Sequence, residues 1–431
     1  MKKIYFSHNV CLNSEYDFNI IKEILKKNYI IVNDIKKADT CIYAGCGSRG
    51  VWVDDAINEI NKIIKKNRNI NIITTGCFIA IEPKKIKKSI KTNKLKILKF
   101  NEIVKQYSNK DLNELDNNIN QFQNYNLENN KKKGRINKEK QEIVNFLEFL
   151  DKKYNSNFTD FYKQTTKGFV FYDKNIANIT ITRGCPYKCS YCSIPIGRGK
   201  YNSIPLGNII EKIEYNLAQG INEFLFLGDE LGNYGLGTNN DLSKLLDFIL
   251  SKYDIKISLR YIEPQPFLKH FNTIEKFSKE SKIKLLYIPI QSGSNKILQL
   301  MNRPYKIDTN LINKIISLKD KNVILYTNWM VGFPNETTRD IQETKKLMQI
   351  LNCDINIIVP FSKRPNTPAE KMNQISIKKK EKRYYYLLQT AIELKNKNFE
   401  LLLDKFNVTK QEKEQLFSMI QNSEMKQTKI D

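Results

Sequence analysis

The string Arg183-Gly184-Cys185-Pro186-Tyr187-Lys188-Cys189-Ser190-Tyr191-Cys192 carries three thiols separated by gaps of three and two residues. Thiolates are the usual protein ligands of iron–sulfur clusters, and gaps this short let one loop wrap a single cubane. Three cysteines fill three corners and leave one iron open, so the spacing points to chemistry at the metal. Zinc is the competing reading. It needs a fourth ligand, and the only two histidines, His8 and His270, lie far from this loop in sequence.

Three more cysteines stand at places that the surrounding elements define. Hydrophobic patterning predicts strands over 3–7, 40–44 and 70–75 and helices over 16–27 and 53–66, an alternation that makes a doubly wound parallel sheet in an α/β protein. Cys11, Cys46 and Cys77 each fall within a few residues of a strand's carboxyl end, the edge where open α/β sheets bind ligands. They form a candidate second metal site if their loops converge, and ordinary buried cysteines if they do not. Residues 45–50 also match GxGxxG, the dinucleotide pattern. Their strand is not the first of the domain, and no acidic residue ends the next strand to bind a ribose, so nicotinamide binding is not expected. Cys41 and Cys353 fall outside both triplets and are expected in the core.

Residues 109–162 are dominated by Asn, Lys, Glu and Gln and read as a polar low-complexity linker or insertion, with one helix over 142–150. The basic run at Lys131–Lys133 with Arg135 reads as a solvated charge run. From about residue 167 a second β/α series begins, with strands expected over 177–182, 223–227, 256–260, 284–288, 323–330 and 354–359. Six repeats make a partial (β/α)6 barrel, whose chemistry belongs at the carboxyl ends of its strands. The CxxxCxxC loop follows the first of them. Beyond Pro368 there is neither Gly nor Pro, so 377–420 reads as a helical tail. Within it KKKEKRYYY, residues 378–386, mixes cations with aromatics as RNA surfaces do, although a solvated helix packed by its tyrosines explains the same string. The expected organisation is thus 1–105, 106–166, 167–375 and 376–431.

The 431 residues are 41% hydrophobic, enough for more than one core. No apolar run has transmembrane length and the start turns polar too soon for a signal peptide, so a cytoplasmic protein without membrane contact is expected. Clustered cysteines fit that reducing compartment better than a disulfide scaffold. The 71 basic against 46 acidic residues leave a net charge of +25, which favours a polyanionic partner such as RNA. Lys, Asn and Ile are abundant throughout the chain, so codon bias in an AT-rich genome accounts for part of that charge.

The CxxxCxxC after the first barrel strand, with Tyr191 before the last cysteine, resembles the radical S-adenosylmethionine superfamily. FLFLGDE with Gly228, Asp229 and Glu230, IPIQSGS with Gln291 and Ser292, and WMVGFPNET with Gly332 are similar to its later cofactor segments, in order and at the right strand ends. Together with Cys11, Cys46 and Cys77, the strings GCPYKCSYCSIPIGRGKYNSIP, IPIQSGSNKILQLMNRPY, VGFPNETTRDIQET and FSKRPNTPAEKM narrow the resemblance to the methylthiotransferases, over residues 1–105 and 167–375.

That resemblance implies two 4Fe-4S clusters, one on Cys185, Cys189 and Cys192 and one on Cys11, Cys46 and Cys77. It implies S-adenosyl-L-methionine held by Tyr191, Gly228, Asp229, Glu230, Gln291, Ser292 and Gly332, with a carboxylate at the ammonium. The reaction it implies replaces C–H by C–SCH3 on a large substrate, with a reductase as electron donor. Arg198 and Arg303, basic residues of the same motifs, are expected to line the substrate or cofactor cavity, or else to make surface salt bridges. The expected substrate is a modified adenosine of tRNA. LGDELGNYG and PAEKMNQ are similar to the threonylcarbamoyladenosine branch, and SEYDF after Cys11 to the isopentenyladenosine branch. The alternative is a protein or peptide side chain. A non-catalytic iron–sulfur RNA-binding or electron-transfer protein is the reading from another class.

Departures from the family pattern are Val10 for Gly before Cys11, Ser14 for Asn, Ala44-Gly45 for Asn-Thr before Cys46, and Asn366 for Gly in RPGTPA. The family's C-terminal β-barrel, the TRAM domain, has no counterpart in the expected helical tail, which weakens the tRNA reading and favours the protein alternative.

Overall fold

Five short, β-branched runs form the first sheet of the computed structural model, which describes residues 1–108, 138–166, 169, 175–319, 321–425 and 430. They are β1 (Lys3–His8), β2 (Ile30–Ile31), β3 (Thr40–Ala44), β4 (Asn71–Thr75) and β5 (Leu95–Ile97), all parallel, in the order β2-β1-β3-β4-β5. Successive side chains point to opposite faces. Ile42 and Ala44 therefore join Phe18, Ile21 and Ile103 on one side, while Cys41 and Tyr43 join Ala56, Ile60 and Ile72 on the other. Helices thus cover both faces, and each fully buried Ile or Phe contributes about 1.5–3 kcal/mol. The strand order reverses between β1 and β3, and the crevice at such a reversal is where doubly wound sheets take ligands. Cys11 and Cys46 follow these two strands.

The helix after β1 spans Leu12–Lys26, starting four residues before the expected position. Its polar first turn, Asn13-Ser14-Glu15, hides the helical period, but all three side chains are buried.

The second sheet comprises β6 (Ile176–Thr180), β9 (Glu223–Leu227), β10 (Lys256–Arg260), β11 (Ile283–Tyr287), β12 (Ile324–Val331) and β13 (Ile355–Pro360), all parallel. Its order, β13-β12-β11-β10-β9-β6, follows the sequence, and the two edge strands do not pair, so the (β/α)6 unit is open. The expected first strand ends early. Thr182 and Arg183 leave the sheet as β7 and pair antiparallel with β8 (Asn202–Ser203). The thiol loop therefore grows from a two-residue ribbon closed at its base. One face of this sheet is covered by its helices. On the other, Leu225, Leu285, Tyr287 and Tyr326 pack with Leu12 of the first sheet's helix, so the residue next to Cys11 is inserted into the open barrel.

Residues 138–166, expected within the polar linker with one helix over 142–150, form two helices, Lys138–Tyr154, which contains the expected one, and Phe158–Gln164. Ile143, Val144, Leu147 and Leu150 make a helical stripe that closes with Phe158 and Tyr162 on Phe399, Leu403, Leu416 and Ile420 of the tail. The stripe is thin in a polar segment, and its partners lie some 250 residues away in sequence, so composition alone conceals it. The tail itself is helical, Ile377–Asp404 and Lys410–Met425. The basic run at residues 131–135 lies outside the described residues. Cys41 and Cys353 are both buried.

With only 17 glycines, the chain places asparagine where the backbone turns left-handed. Asn407 (φ 54°) makes the break between the tail helices, and Asn366, where the family pattern has Gly, has φ 62°. Asn is the side-chain-bearing residue best suited to that conformation, so the substitution at 366 preserves the turn.

Candidate active site between two thiol triplets

The N-terminal thiols converge. Cys11 lies in extended backbone immediately before the helix Leu12–Lys26, Cys46 follows β3 with its N–H held by Asn9 Oδ1 at 2.9 Å, and Cys77 opens the helix Cys77–Ile81 after β4. The Ser14 hydroxyl stands 3.8 Å from Cys11 Sγ and 3.7 Å from Cys77 Sγ, and each thiol lies within electrostatic reach of the other two. Burial pushes the Cys77 thiol well up, and that of Cys46 to about 11, with Ser48 Oγ 3.1 Å from the latter. Gly45, one of the departures, is needed where it stands, because a Cβ there would fall 2.5 Å from the Phe78 ring.

Cys185, Cys189 and Cys192 likewise lie within electrostatic reach of one another. Gly184 N–H donates to Asp229 Oδ2 at 2.9 Å, Cys192 N–H to Cys189 O at 3.0 Å, and Ser190 is tied by its N–H and its hydroxyl to Met301 O and Leu300 O. Burial raises all three thiols, Cys192 to about 12, and Arg303 opposes the rise at Cys189 and Cys192. Arg303 donates to Cys189 Sγ (3.5 Å) and Tyr191 Oη (3.0 Å) and pairs with Glu263, whose carboxyl burial lifts to about 7.

One short helix separates the two triplets. Ile194–Arg198 follows Cys192, and a Cβ on its Gly197 would lie 2.8 Å from Cys77 Cβ. Arg198 then reaches across the junction, with Nη1 donating to Asp17 Oδ2 at 2.6 Å and Nε to Asp229 Oδ2 at 2.9 Å. Arg183 meets the other Asp17 oxygen at 3.1 Å, and Asn13 donates to Gly228 O and Asp229 Oδ1 at 2.9 and 3.2 Å. Two arginines and two aspartates therefore bind the helix after Cys11 to the strand ends beside Cys185. Neither Arg198 nor Arg303 makes a surface salt bridge, since their side chains are only 6% and 3% exposed.

The other expected residues surround this junction in unequal roles. Glu230 is buried and its oxygens accept the N–H groups of Gly232 and Asn233 at 2.7 and 2.8 Å and the Asn233 side-chain amide at 2.7 Å. With Asp229 committed to Arg198, both carboxylates expected at an ammonium are occupied within the protein. Gly228 has no room for a side chain, since a Cβ would meet Thr182 Oγ1 at 2.0 Å. Gln291 (φ 71°) exchanges backbone bonds with Asn328 and Met330 and accepts from Asn328 Nδ2 at 2.9 Å. The Ser292 hydroxyl caps Ser294 N–H at 3.1 Å, and Gly332 N–H donates to Glu336 at 2.9 Å. Asp17, Arg183, Asn13 and Glu263 did not emerge from the sequence. Asp17 lies in the SEYDF string and Arg183 two residues before Cys185, so adjacency to a thiol was the available signal.

The donor sets suit iron–sulfur clusters: all six cysteines are free of disulfides, and the members of each triplet lie within electrostatic reach of one another.

Residues 179–348 match the family model described as the radical SAM superfamily, and residues 3–97 match one described as uncharacterized protein family UPF0004. The fold is similar to that of a radical S-adenosylmethionine methyltransferase, TsrM, from Kitasatospora setae, with TM-score 0.55 at 11% identity over 86% of this chain and 75% of that one. The fold and the loop of thiols define a radical S-adenosylmethionine enzyme, a class that uses a 4Fe-4S cluster and S-adenosylmethionine. A tRNA-2-methylthio-N(6)-dimethylallyladenosine synthase of Buchnera aphidicola (subsp. Baizongia pistaciae) is 30% identical over 90% of this chain and 82% of its own length. Another, from Buchnera aphidicola (subsp. Cinara cedri), is 30% identical over 95% and 91%. The chain belongs to the radical S-adenosylmethionine methylthiotransferase family. Among the described residues no helix is long and apolar enough to cross a membrane.

Proposed function

We propose that this methylthiotransferase acts on tRNA, replacing C–H by C–SCH3 on a dimethylallyl (isopentenyl) adenosine. The observation that carries the reading is the junction itself, with two thiol triplets on either side of the helix Ile194–Arg198. The names of the 30%-identical relatives support tRNA and that adenosine over the threonylcarbamoyl form and over a protein side chain.

Cys185, Cys189 and Cys192 would hold one 4Fe-4S cluster, and Cys11, Cys46 and Cys77 a second. When bound, the clusters and S-adenosylmethionine supply a 5′-deoxyadenosyl radical for hydrogen abstraction and a methylated sulfur for transfer, with a reductase furnishing the electron. Arg303 places a buried positive charge against Cys189 and orients Tyr191, while Glu263 balances it. Arg198 sets its charge between the triplets and, through Asp17 and Asp229, fixes their separation. Fixed separation matters because both reagents must reach one carbon, and small misplacements cost large factors in rate. Leu12 closes the barrel side of the junction against water. Gly228, Asp229, Glu230, Gln291, Ser292 and Gly332, with Tyr191, frame the S-adenosylmethionine pocket by holding the strand-end loops.

Nucleoside mass spectrometry of tRNA from cells with and without the gene tests the reading. Methylthio-adenosine disappears on deletion and its dimethylallyl precursor accumulates. Unchanged tRNA nucleosides would overturn it.

A further inference from the structure

The string KKKEKRYYY is divided by its helix. Tyr384 turns into the core at 4% exposure, but Tyr385, set edge-on to the Tyr384 ring, and Tyr386 are 44% and 43% exposed, so core packing accounts fully for only one of the three tyrosines. Lys378, Lys379 and Lys382 are exposed on the same stretch. On the neighbouring helix Thr338–Leu351, Lys345 Nζ stands 4.8 Å from the Tyr386 ring centre and Lys346 is exposed beside it. The acids nearby are mostly spent: Glu336 pairs with Arg383 and Glu343 with Arg339, leaving Glu381.

The helix that carries this face starts at the barrel rim. Lys380 Nζ donates to Phe361 O just past β13, and its stem fills the space where a Cβ on Gly332 would stand, 2.5 Å away. These are the carboxyl ends of β12 and β13, on the edge that carries the thiol loop. The adjoining loop also receives the first domain, with Gly50 N–H on Ser362 Oγ at 3.0 Å and Arg364 paired with Glu82.

We propose that Tyr385 and Tyr386, with Lys345, Lys346 and Lys382, dock the RNA substrate outside the reaction cavity, through base stacking and phosphate contacts. The proposal rests on the tRNA reading above and names the surface that carries the affinity. Aromatic rings ringed by lysines are the combination that single-stranded and looped RNA uses, since every base has a face to stack and every phosphate a charge.

The test is binding of the full chain to tRNA from a strain lacking the gene, by fluorescence anisotropy across a salt series. Tyr385→Ala/Tyr386→Ala weakens binding about 10- to 100-fold with the salt slope kept. Lys345→Ala/Lys346→Ala/Lys382→Ala lowers the slope of log affinity against log salt by about 2. Circular dichroism and RNA-independent formation of 5′-deoxyadenosine stay at wild-type level in both. Wild-type binding that both variants retain overturns the docking face and leaves the tRNA reading standing. A wild type that binds no tRNA overturns both.

Discussion

Arg198 is the residue on which the geometry of the junction turns. It is buried with two aspartates, Asp17 from the first domain and Asp229 from the second, and Arg183 completes the balance of charge. Removing one member of such a buried set strands its partners in low dielectric, at a cost of about 3–5 kcal/mol. Arg198→Ala is therefore expected to lower the unfolding free energy by that amount in urea titration, and Arg198→Lys to recover only part of it, since one ammonium does not reproduce the guanidinium fork. The two cysteine triplets stand out in the sequence because thiol spacing and strand ends are local signals. Arg198 was visible only as a basic residue in a motif. Its partner Asp17 lies 181 residues away, a distance that no local pattern spans.

Elements read well where one period dominated. The β/α alternation of both sheets follows from short β-branched runs, and every expected strand falls within a few residues of its position, whereas the short edge strands β2 and β5 were not expected. Of the helices at 138–166 the sequence showed only the middle of the first, over 142–150, because the apolar stripe is completed by the tail rather than by sequence neighbours. Leu147→Ala is expected to cost about 2–5 kcal/mol, read as a loss of helical signal at lower denaturant. The helix Thr338–Leu351 offers a pH test. Burial acts to raise the Asp340 carboxyl, but hydrogen bonds from Ser294, Thr337 and Lys296 outweigh it and hold the group down to about 2. A carboxyl depressed from its ordinary value of about 3.9 stabilises the fold above that pH, and loses the contribution as pH falls through about 2. Melting temperature should decline over that window in the wild type and decline less in Asp340→Asn.

At the scale of the whole molecule, two parallel sheets bring their carboxyl edges to one place. The first does so by reversing strand order between β1 and β3, the second by running its strands in sequence around an open barrel. Rim chemistry is common to both designs, so the positions of all six thiols follow from topology once the strands are known. Their convergence across Ile194–Arg198 required three dimensions. Reconstituted wild-type protein is expected to carry about eight irons, and Cys11→Ala/Cys46→Ala/Cys77→Ala about four, with the cluster on Cys185, Cys189 and Cys192 intact. The most direct test incubates that triple variant and the wild type with reductant, S-adenosylmethionine labelled in its methyl group, and tRNA bearing dimethylallyladenosine. Wild type should yield both 5′-deoxyadenosine and labelled methylthio-adenosine, and the variant 5′-deoxyadenosine alone. Labelled methylthio-adenosine from the variant, or none from the wild type, would contradict a division of labour between the two thiol sets.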